Sequence, residues 1–408
     1  MSVKTVRLAK HSDVFQLLVD EQPFYIKGAG LELGSIQQLA AFGGNAFRTW
    51  RVENGDKTGI QILNEAHACG LMVCMGLDIA RERHGFEYDD PLAVAKQLDK
   101  MRDEVLALKD HPALLMWGIG NELNLRHKNP KVWDAVNNLS KMIHREDPNH
   151  PTTTMLAGAD PDIIQLVSKY CPDLDLLSFQ LYGDINKLPS YLTKSGYNGA
   201  YVISEWGATG HWEVEKTDWG RPIETNSTLK ARDYKQRYLD YIAADQQQCI
   251  GSFVFLWGQK QERTPTWYGV FLDNGRHTEA AQIMSELWTG EPVVYPVAQI
   301  DSLTIIDENQ RETCQLKTNQ IYTAEIISKS VTSALTYRWQ LMKEVDTAVQ
   351  SDGGDFEPTP EIIWQKSGTD VGSKAQFKAP ASGEYRLFVY LDDDTNGSAT
   401  ANMPVLVD

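Results

Sequence analysis

Two glutamates stand where apolar runs end: Glu122 in Leu114-Leu-Met-Trp-Gly-Ile-Gly-Asn-Glu122 and Glu205 in Tyr201-Val-Ile-Ser-Glu205-Trp-Gly207. Each preceding run has the apolar density of a buried strand, and carboxyls at two such ends share one rim when the strands belong to one barrel. A pair of this kind suits cleavage of a glycosidic bond. One carboxylic acid protonates the leaving oxygen and the other attacks the anomeric carbon, the two standing about 5–5.5 Å apart in a retaining mechanism. Like charges that close do not both ionise freely, so one carboxyl stays protonated near neutral pH. The plainer reading makes Asn121 a helix cap and each glutamate a solvated loop residue. It accounts for either glutamate alone and poorly for both together, so Glu122 and Glu205 are the expected catalytic residues.

The elements that must position them follow a repeating rhythm. Short apolar runs rich in β-branched or aromatic residues alternate with longer stretches of helical period, the pattern of βα units in a parallel sheet. Strands are expected over 24–30, 45–50, 71–77, 114–120, 152–156, 176–182, 201–205 and 251–257. Helices are expected over 35–42, 59–68, 91–108, 130–145, 161–169, 185–192, 228–247 and 278–288. Asp90 before Pro91 and Asp160 before Pro161 read as helix starts, because proline is tolerated in the first turn. Eight strands, each followed by a helix, argue for a closed α/β barrel, a (β/α)8 TIM barrel, rather than an open doubly wound sheet. Ahead of it, Val14 to Gly28 reads as a hairpin about an Asp-Glu-Gln-Pro turn.

After Gly290-Glu-Pro292 the helical period gives way to short alternating runs, among them 322–327, 336–341, 361–365, 375–378 and 385–391. The expected division is therefore a barrel with its hairpin over 1–294 and an all-β domain over 295–408. Trp339 within one run and Tyr385 near the start of another resemble an immunoglobulin-like sandwich. Cys314 is the lone cysteine of that part, so packing without an inter-sheet disulfide must hold it.

Composition bounds the partners. The chain has 408 residues, 42% hydrophobic and 23% charged, the balance of a globular protein with room for a barrel and a second domain. Its formal net charge of -16 speaks against nucleic acid, which demands clustered Lys and Arg. The five cysteines are scattered without CxxC spacing; Cys69, Cys74 and Cys249 lie in or beside apolar runs and read as inert buried thiols. The nine histidines show no HExxH or other ligand spacing, so neither a metal nor another cofactor is expected. No apolar run is long enough to span a bilayer. The polar stretch Met1 to His11 reads as that of a cytoplasmic chain, although a chain with its signal peptide removed reads the same. A monomer is expected.

Several segments together carry a resemblance: Phe24-Tyr-Ile-Lys-Gly28, Gly43-Gly-Asn-Ala-Phe-Arg-Thr-Trp50, the stretch from Asn64 to Asp78, Gly118-Ile-Gly-Asn-Glu122, Ser204-Glu-Trp-Gly207 and Phe253-Val-Phe-Leu-Trp257. They look like the barrel of clan A glycoside hydrolases and are similar to the catalytic domain of glycoside hydrolase family 2, over roughly residues 24–290. The resemblance implies Glu122 as acid/base, Glu205 as nucleophile and Asn121 as partner of the sugar 2-hydroxyl. It also implies that Arg48 and Tyr182 hold the nucleophile ionised and that Trp257 is the platform under the sugar. Many clan members carry His where this chain has Gln180, so hydrogen bonding beside the acid/base is expected to differ. Family 2 enzymes usually carry β-sandwich domains ahead of the barrel, for which the residues before Phe24 leave no room. A barrel followed by one immunoglobulin-like domain resembles instead the family 158 β-1,3-glucanases. Trp206, Trp212 and Trp219 after the seventh strand, with Trp267 and Tyr268 after the eighth, could line a cleft for a β-linked oligo- or polysaccharide, and His211 is a subsite candidate. The leading expectation is a retaining endo-β-1,3-glucanase. The rivals are an exo-β-glycosidase or transglycosylase on the same two glutamates, and a non-catalytic glycan-binding protein.

Overall fold

The computed structural model describes residues 3–408 except 33, 331–334, 347–356 and 369–370. The chain forms two compact units: residues 1–206 with 237–257, and residues 207–236 with 258–408.

The first unit opens with β1 (Val6–His11), β2 (Val14–Val19) and the two-residue β3 (Gln22–Pro23), an antiparallel sheet in that order. The expected Asp-Glu-Gln-Pro turn only joins β2 to β3; the main partner of β2 is β1, in a stretch read from sequence as merely polar. That stretch buries Val6 and Ala9 and half-buries Leu8, while Arg7, Lys10 and His11 are exposed, so its apolar residues are few among polar ones.

Then come the barrel strands β4 (Ile26–Gly30), β5 (Ala46–Arg48), β6 (Met72–Leu77), β7 (Leu114–Asn121), β8 (Thr152–Ala157), β9 (Leu177–Gln180), β10 (Tyr201–Trp206) and β11 (Cys249–Val254). Among the described residues these eight pair in parallel and in chain order, and β11 closes on β4 through Gly251 opposite Ile26 to Val254 opposite Ala29. Every residue of β6, β7, β10 and β11 is buried, as expected for parallel strands covered on both faces. Gly251 makes the closure possible: its φ is +126°, and a Cβ there would lie 2.3 Å from the Ile26 carbonyl oxygen. Val6, Leu17 and Val19 of the hairpin share one core with Ile26, Met72, Met116 and Phe253, which caps the N-terminal end of the barrel.

The helices fall close to their expected ranges: α1 (Ile36–Ala41), α2 (Gly59–Ala68), α3 (Pro91–Leu108), α4 (Lys131–Glu146), α5 (Pro161–Tyr170), α6 (Leu188–Ser195), α7 (Ser227–Arg237) and α8 (Glu279–Thr289). Asp90 accepts hydrogen bonds from the N–H groups of Leu92 and Ala93, and Asp160 from those of Asp162 and Ile163, satisfying donors that a helix start leaves open. The helix expected to run to Gln247 instead passes through a π-helical turn, Tyr238–Ile242, and stops. Asp245 accepts from the N–H groups of Gln247 and Gln248, a local turn that competes with further helix.

In the second unit, β12 (Gln299–Ile306), β14 (Ile321–Lys329) and β17 (Lys374–Lys378) form one sheet. β13 (Gln315–Leu316), β19 (Ser398–Val407), β18 (Gly383–Asp392), β15 (Thr336–Lys343) and β16 (Ile362–Gly368) form the other. Residues two apart along the strands, such as Ala324 and Ile326, Trp339 and Leu341, or Leu387 and Val389, meet in one core from both sheets, the packing of a β-sandwich. Tyr385 donates to the Ala381 carbonyl at 2.9 Å, the backward hydrogen bond of a tyrosine corner. The opposite face of β18 is also covered: Phe388 and Tyr390 pack with Leu272 and Met342. Arg221 pairs with Glu384, and Arg386 donates to the Pro222 carbonyl. Asn402 donates to Glu224, whose carboxylate also holds the buried Lys230. These links place the segments after β10 and β11 in the same unit as the sandwich.

Of the cysteines read as buried, Cys74 and Cys249 are, and Cys69 is only half-buried at the end of α2. Burial pushes the Cys74 and Cys249 thiols up to about 12, so both stay protonated and unreactive. Among the described residues no helix is long and apolar enough to cross a membrane, and no three acidic, His or Cys side chains are grouped to hold a metal ion.

Candidate active site

The site is built from the C-terminal ends of the barrel strands, where side chains emerge from a rigid, fully buried wall. Glu205, the penultimate residue of β10, is buried, and three side chains from other strand ends hold its carboxylate. Trp50 Nε1 donates to Oε1 at 2.9 Å, Arg48 Nη1 lies 3.2 Å from the same oxygen, and the Tyr182 hydroxyl donates to Oε2 at 2.9 Å. Arg48, the last residue of β5, is 1% exposed and its guanidinium stands 4.7 Å over the Trp50 ring. It also donates to the Ser204 carbonyl at 3.2 Å and to Asn121 Oδ1 at 2.7 Å. One guanidinium thus ties the end of β7 to the end of β10.

Asn121 is not a helix cap. Its Oδ1 accepts from Arg48 and, at 2.8 Å, from Gln180 Nε2 at the end of β9. Glu122 follows with φ +52°, a left-handed backbone that costs a non-glycine residue of order 1 kcal/mol or more and marks a constrained position. The position is pinned: Glu122 N–H donates to the Met155 carbonyl at 2.9 Å, and Arg83 Nη1 donates to the Glu122 carbonyl at 2.5 Å. Arg83 Nη2 lies 3.8 Å from Glu122 Oε2, and Arg81 donates to the Asn121 carbonyl at 3.1 Å.

The sequence reading therefore assembled Glu205, Arg48, Asn121, Gln180 and Tyr182 into one network. It missed Trp50, Arg81 and Arg83. Trp50 lies two residues beyond Arg48, on the same face by the period of a strand, and that spacing could have flagged it. Arg81 and Arg83 sit in a loop whose course no local pattern reveals.

The aromatic expectations fare differently. Trp257 lies beyond the end of β11, is 0% exposed, donates its N–H to the Gly30 carbonyl, and meets Phe42 edge-on at 5.5 Å. Trp206 is buried with its ring 6.0 Å from that of Tyr238. His211 and Trp267 belong to the second unit. Trp267 is buried and donates Nε1 to the Thr209 carbonyl. The His211 ring meets the Tyr268 hydroxyl at 2.8 Å and lies 4.9 Å from Trp212, which is 55% exposed. Of the row expected from sequence, Trp206, Trp267 and Tyr268 are buried in packing, Trp219 is half-buried, and Trp212 is exposed.

Two stability predictions follow from these environments. Removing Arg48 leaves Glu205 as a buried carboxylate without its cation, so Arg48→Met is expected to lower unfolding free energy by about 3–5 kcal/mol, read by urea denaturation. An unchanged midpoint would count against the ion pair. Burial, followed by repulsion from Arg263 and Lys216, lowers the His211 pKa to about 3. The unfolded chain takes up a proton near pH 6.5 that the folded chain refuses. His211 therefore subtracts stability progressively as pH falls from about 6.5 to about 3 and has no such effect above that window. His211→Gln should flatten that part of the stability-pH profile; equal slopes in the two proteins would refute the burial argument.

Residues 36–241, half of the chain, match the TIM barrel domain of glycosyl hydrolases family 2. Solved structures with the same fold include a Bacteroides uniformis β-glucuronidase, at 12% identity and TM-score 0.55, covering 99% of this chain and 48% of that one. A Dictyoglomus thermophilum β-D-glucuronidase aligns at 18% identity and TM-score 0.54, over 71% of this chain and 54% of that one. A Bifidobacterium dentium β-glucuronidase aligns at 19% identity and TM-score 0.56, over 71% and 50%. The chain thus spans about half the length of these structures, and at such identities the likeness is one of fold. With the matched barrel domain covering half of its residues, the chain belongs to glycoside hydrolase family 2.

Proposed function

We propose that this chain carries the catalytic barrel of a retaining β-glycosidase, with Glu205 as nucleophile and Glu122 as acid/base. The observation that carries the reading is the Arg48 guanidinium shared between Glu205 and Asn121, which sets the nucleophile beside the residue preceding the acid. Trp50, Arg48 and Tyr182 fix both oxygens of Glu205, so little reorganisation stands between the resting carboxylate and attack.

In the first step a Glu205 oxygen bonds to the anomeric carbon as the glycosidic bond breaks, and Glu122 gives its proton to the departing oxygen. In the second, Glu122 takes a proton from water, the water oxygen bonds to the anomeric carbon, and Glu205 leaves as carboxylate. The Asn121 amide oxygen is engaged twice, which leaves its Nδ2 group to donate to the sugar 2-hydroxyl.

The substrate is read as a β-glucan, cleaved internally at β-1,3 linkages. This rests on the likeness of a barrel followed by a β-sandwich to the family 158 β-1,3-glucanases. A second reading, an exo-acting β-glucuronidase, is favoured by the names of the similar structures and by Arg81 and Arg83 beside Asn121 and Glu122, cations that a uronate would use. Incubating the protein with laminarin and with an aryl β-glucuronide separates them. Shortened laminarin oligosaccharides of retained configuration support the first, and exclusive release of glucuronate with retention supports the second. Inverted products from either would overturn the mechanism.

A further inference from the structure

At the N-terminal end of the barrel lies a groove of about 1310 Å³, larger than the roughly 300–1,000 Å³ typical of sites for drug-sized ligands. Its walls come from β2, the approach to β4, α6 and the segment between the π-helical turn and β11. Tyr201, the first residue of β10, lines it, whereas Glu205 lies four residues further along the same strand. At about 3.3 Å per residue that sets the groove roughly 13 Å from the nucleophile, at the opposite mouth.

The chemistry of the lining is selective. Six of its side chains are aromatic, with Tyr25 37% exposed and Phe15, Phe24 and Tyr241 half-buried. The exposed Asp240 and Gln246 supply hydrogen-bonding groups among them; Lys10, not itself a lining residue, holds its ammonium 4.8 Å from the centroid of the lining Phe15 ring. One wall is also fixed: the Tyr201 hydroxyl donates to Asp245 Oδ2 at 2.7 Å, and Gln248 Nε2 donates to the Gly199 carbonyl at 2.8 Å. Flat rings together with amide and carboxylate groups match a ligand that has apolar CH faces and many hydroxyls. A phosphate, sulfate or uronate would meet the lining carboxylates of Asp240 and Asp245 here. A purely apolar helix would take the exposed Asp240 and Gln246 out of water, which is costly.

We propose that this groove is a second, non-catalytic binding site for a neutral β-linked oligosaccharide. It holds a length of chain on the far side of the barrel from the two glutamates. The reading does not depend on which glycan the catalytic site cleaves.

The test uses the full chain carrying Glu205→Gln, titrated with laminarihexaose by calorimetry. A binding event at the groove is expected, whether or not the catalytic site adds a second. Tyr25→Ala with Tyr241→Ala should weaken the groove event by about fivefold or more, the loss that accompanies truncating an aromatic anchor, and leave any second event intact. Should that pair of changes lower the melting temperature, Asp240→Ala with Gln246→Ala, both at exposed positions, is expected to weaken the same event. No binding in the starting protein, or binding that neither pair of substitutions alters, overturns the proposal.

Discussion

Glu205→Ala is expected to lower kcat on an aryl β-glycoside by about 10⁴-fold, the upper end of what a positioned catalytic group contributes. The carboxylate is the attacking group in the proposed mechanism, and nothing nearby can replace it. Its neighbours are a guanidinium, an indole and a phenol, of which only the phenol carries an oxygen. The same substitution leaves Arg48 a buried cation with the Ser204 carbonyl and Asn121 as its remaining partners, so part of the loss could arise from disturbed folding. Glu205→Gln separates the two causes. It preserves size and an acceptor oxygen for Trp50, and it should fold like the parent while remaining as inactive as the alanine variant. A Gln variant with near wild-type turnover would remove Glu205 from the chemistry.

Glu122→Ala is expected to behave differently, and the difference identifies the role. An acid is needed in proportion to how poor the leaving group is. Turnover of a natural glycan or an alkyl glycoside should therefore fall by about 10²–10⁴-fold, while the step that forms the covalent intermediate from an activated nitrophenyl glycoside should change far less. Breakdown of that intermediate still needs a base, so it should accumulate and give a burst of nitrophenol. Equal losses on activated and unactivated substrates, without a burst, would argue that Glu122 only maintains the left-handed turn seen at φ +52°. Because Arg83 contacts both the carbonyl and the carboxyl side of Glu122, Arg83→Met in parallel reports how much of any effect comes from misplacing the residue.

What the sequence determined by itself was local. Apolar runs such as Leu114 to Gly120, short and bounded by turn residues, favour buried strands. Asp90 and Asp160 start helices through short-range caps, and a glutamate at the end of such a run must emerge at a rim. These features depend on residues a few positions apart, and the eight strands lie close to where the pattern put them.

Tertiary structure decided what depends on residues far apart in the chain. Trp50 became a partner of Glu205 across 155 positions, and the loop carrying Arg81 and Arg83 turned toward Asn121 and Glu122. Trp206, Trp257 and Trp267, whose composition suits a sugar platform, were turned inward, because a large ring gains more from burial against Tyr238, Phe42 or its own loop than from exposure. The segments after β10 and β11 joined the sandwich through pairs such as Arg221 with Glu384 and Asn402 with Glu224. A pattern of period two or 3.6 shows which face of an element is buried; only the assembled fold supplies what that face is buried against.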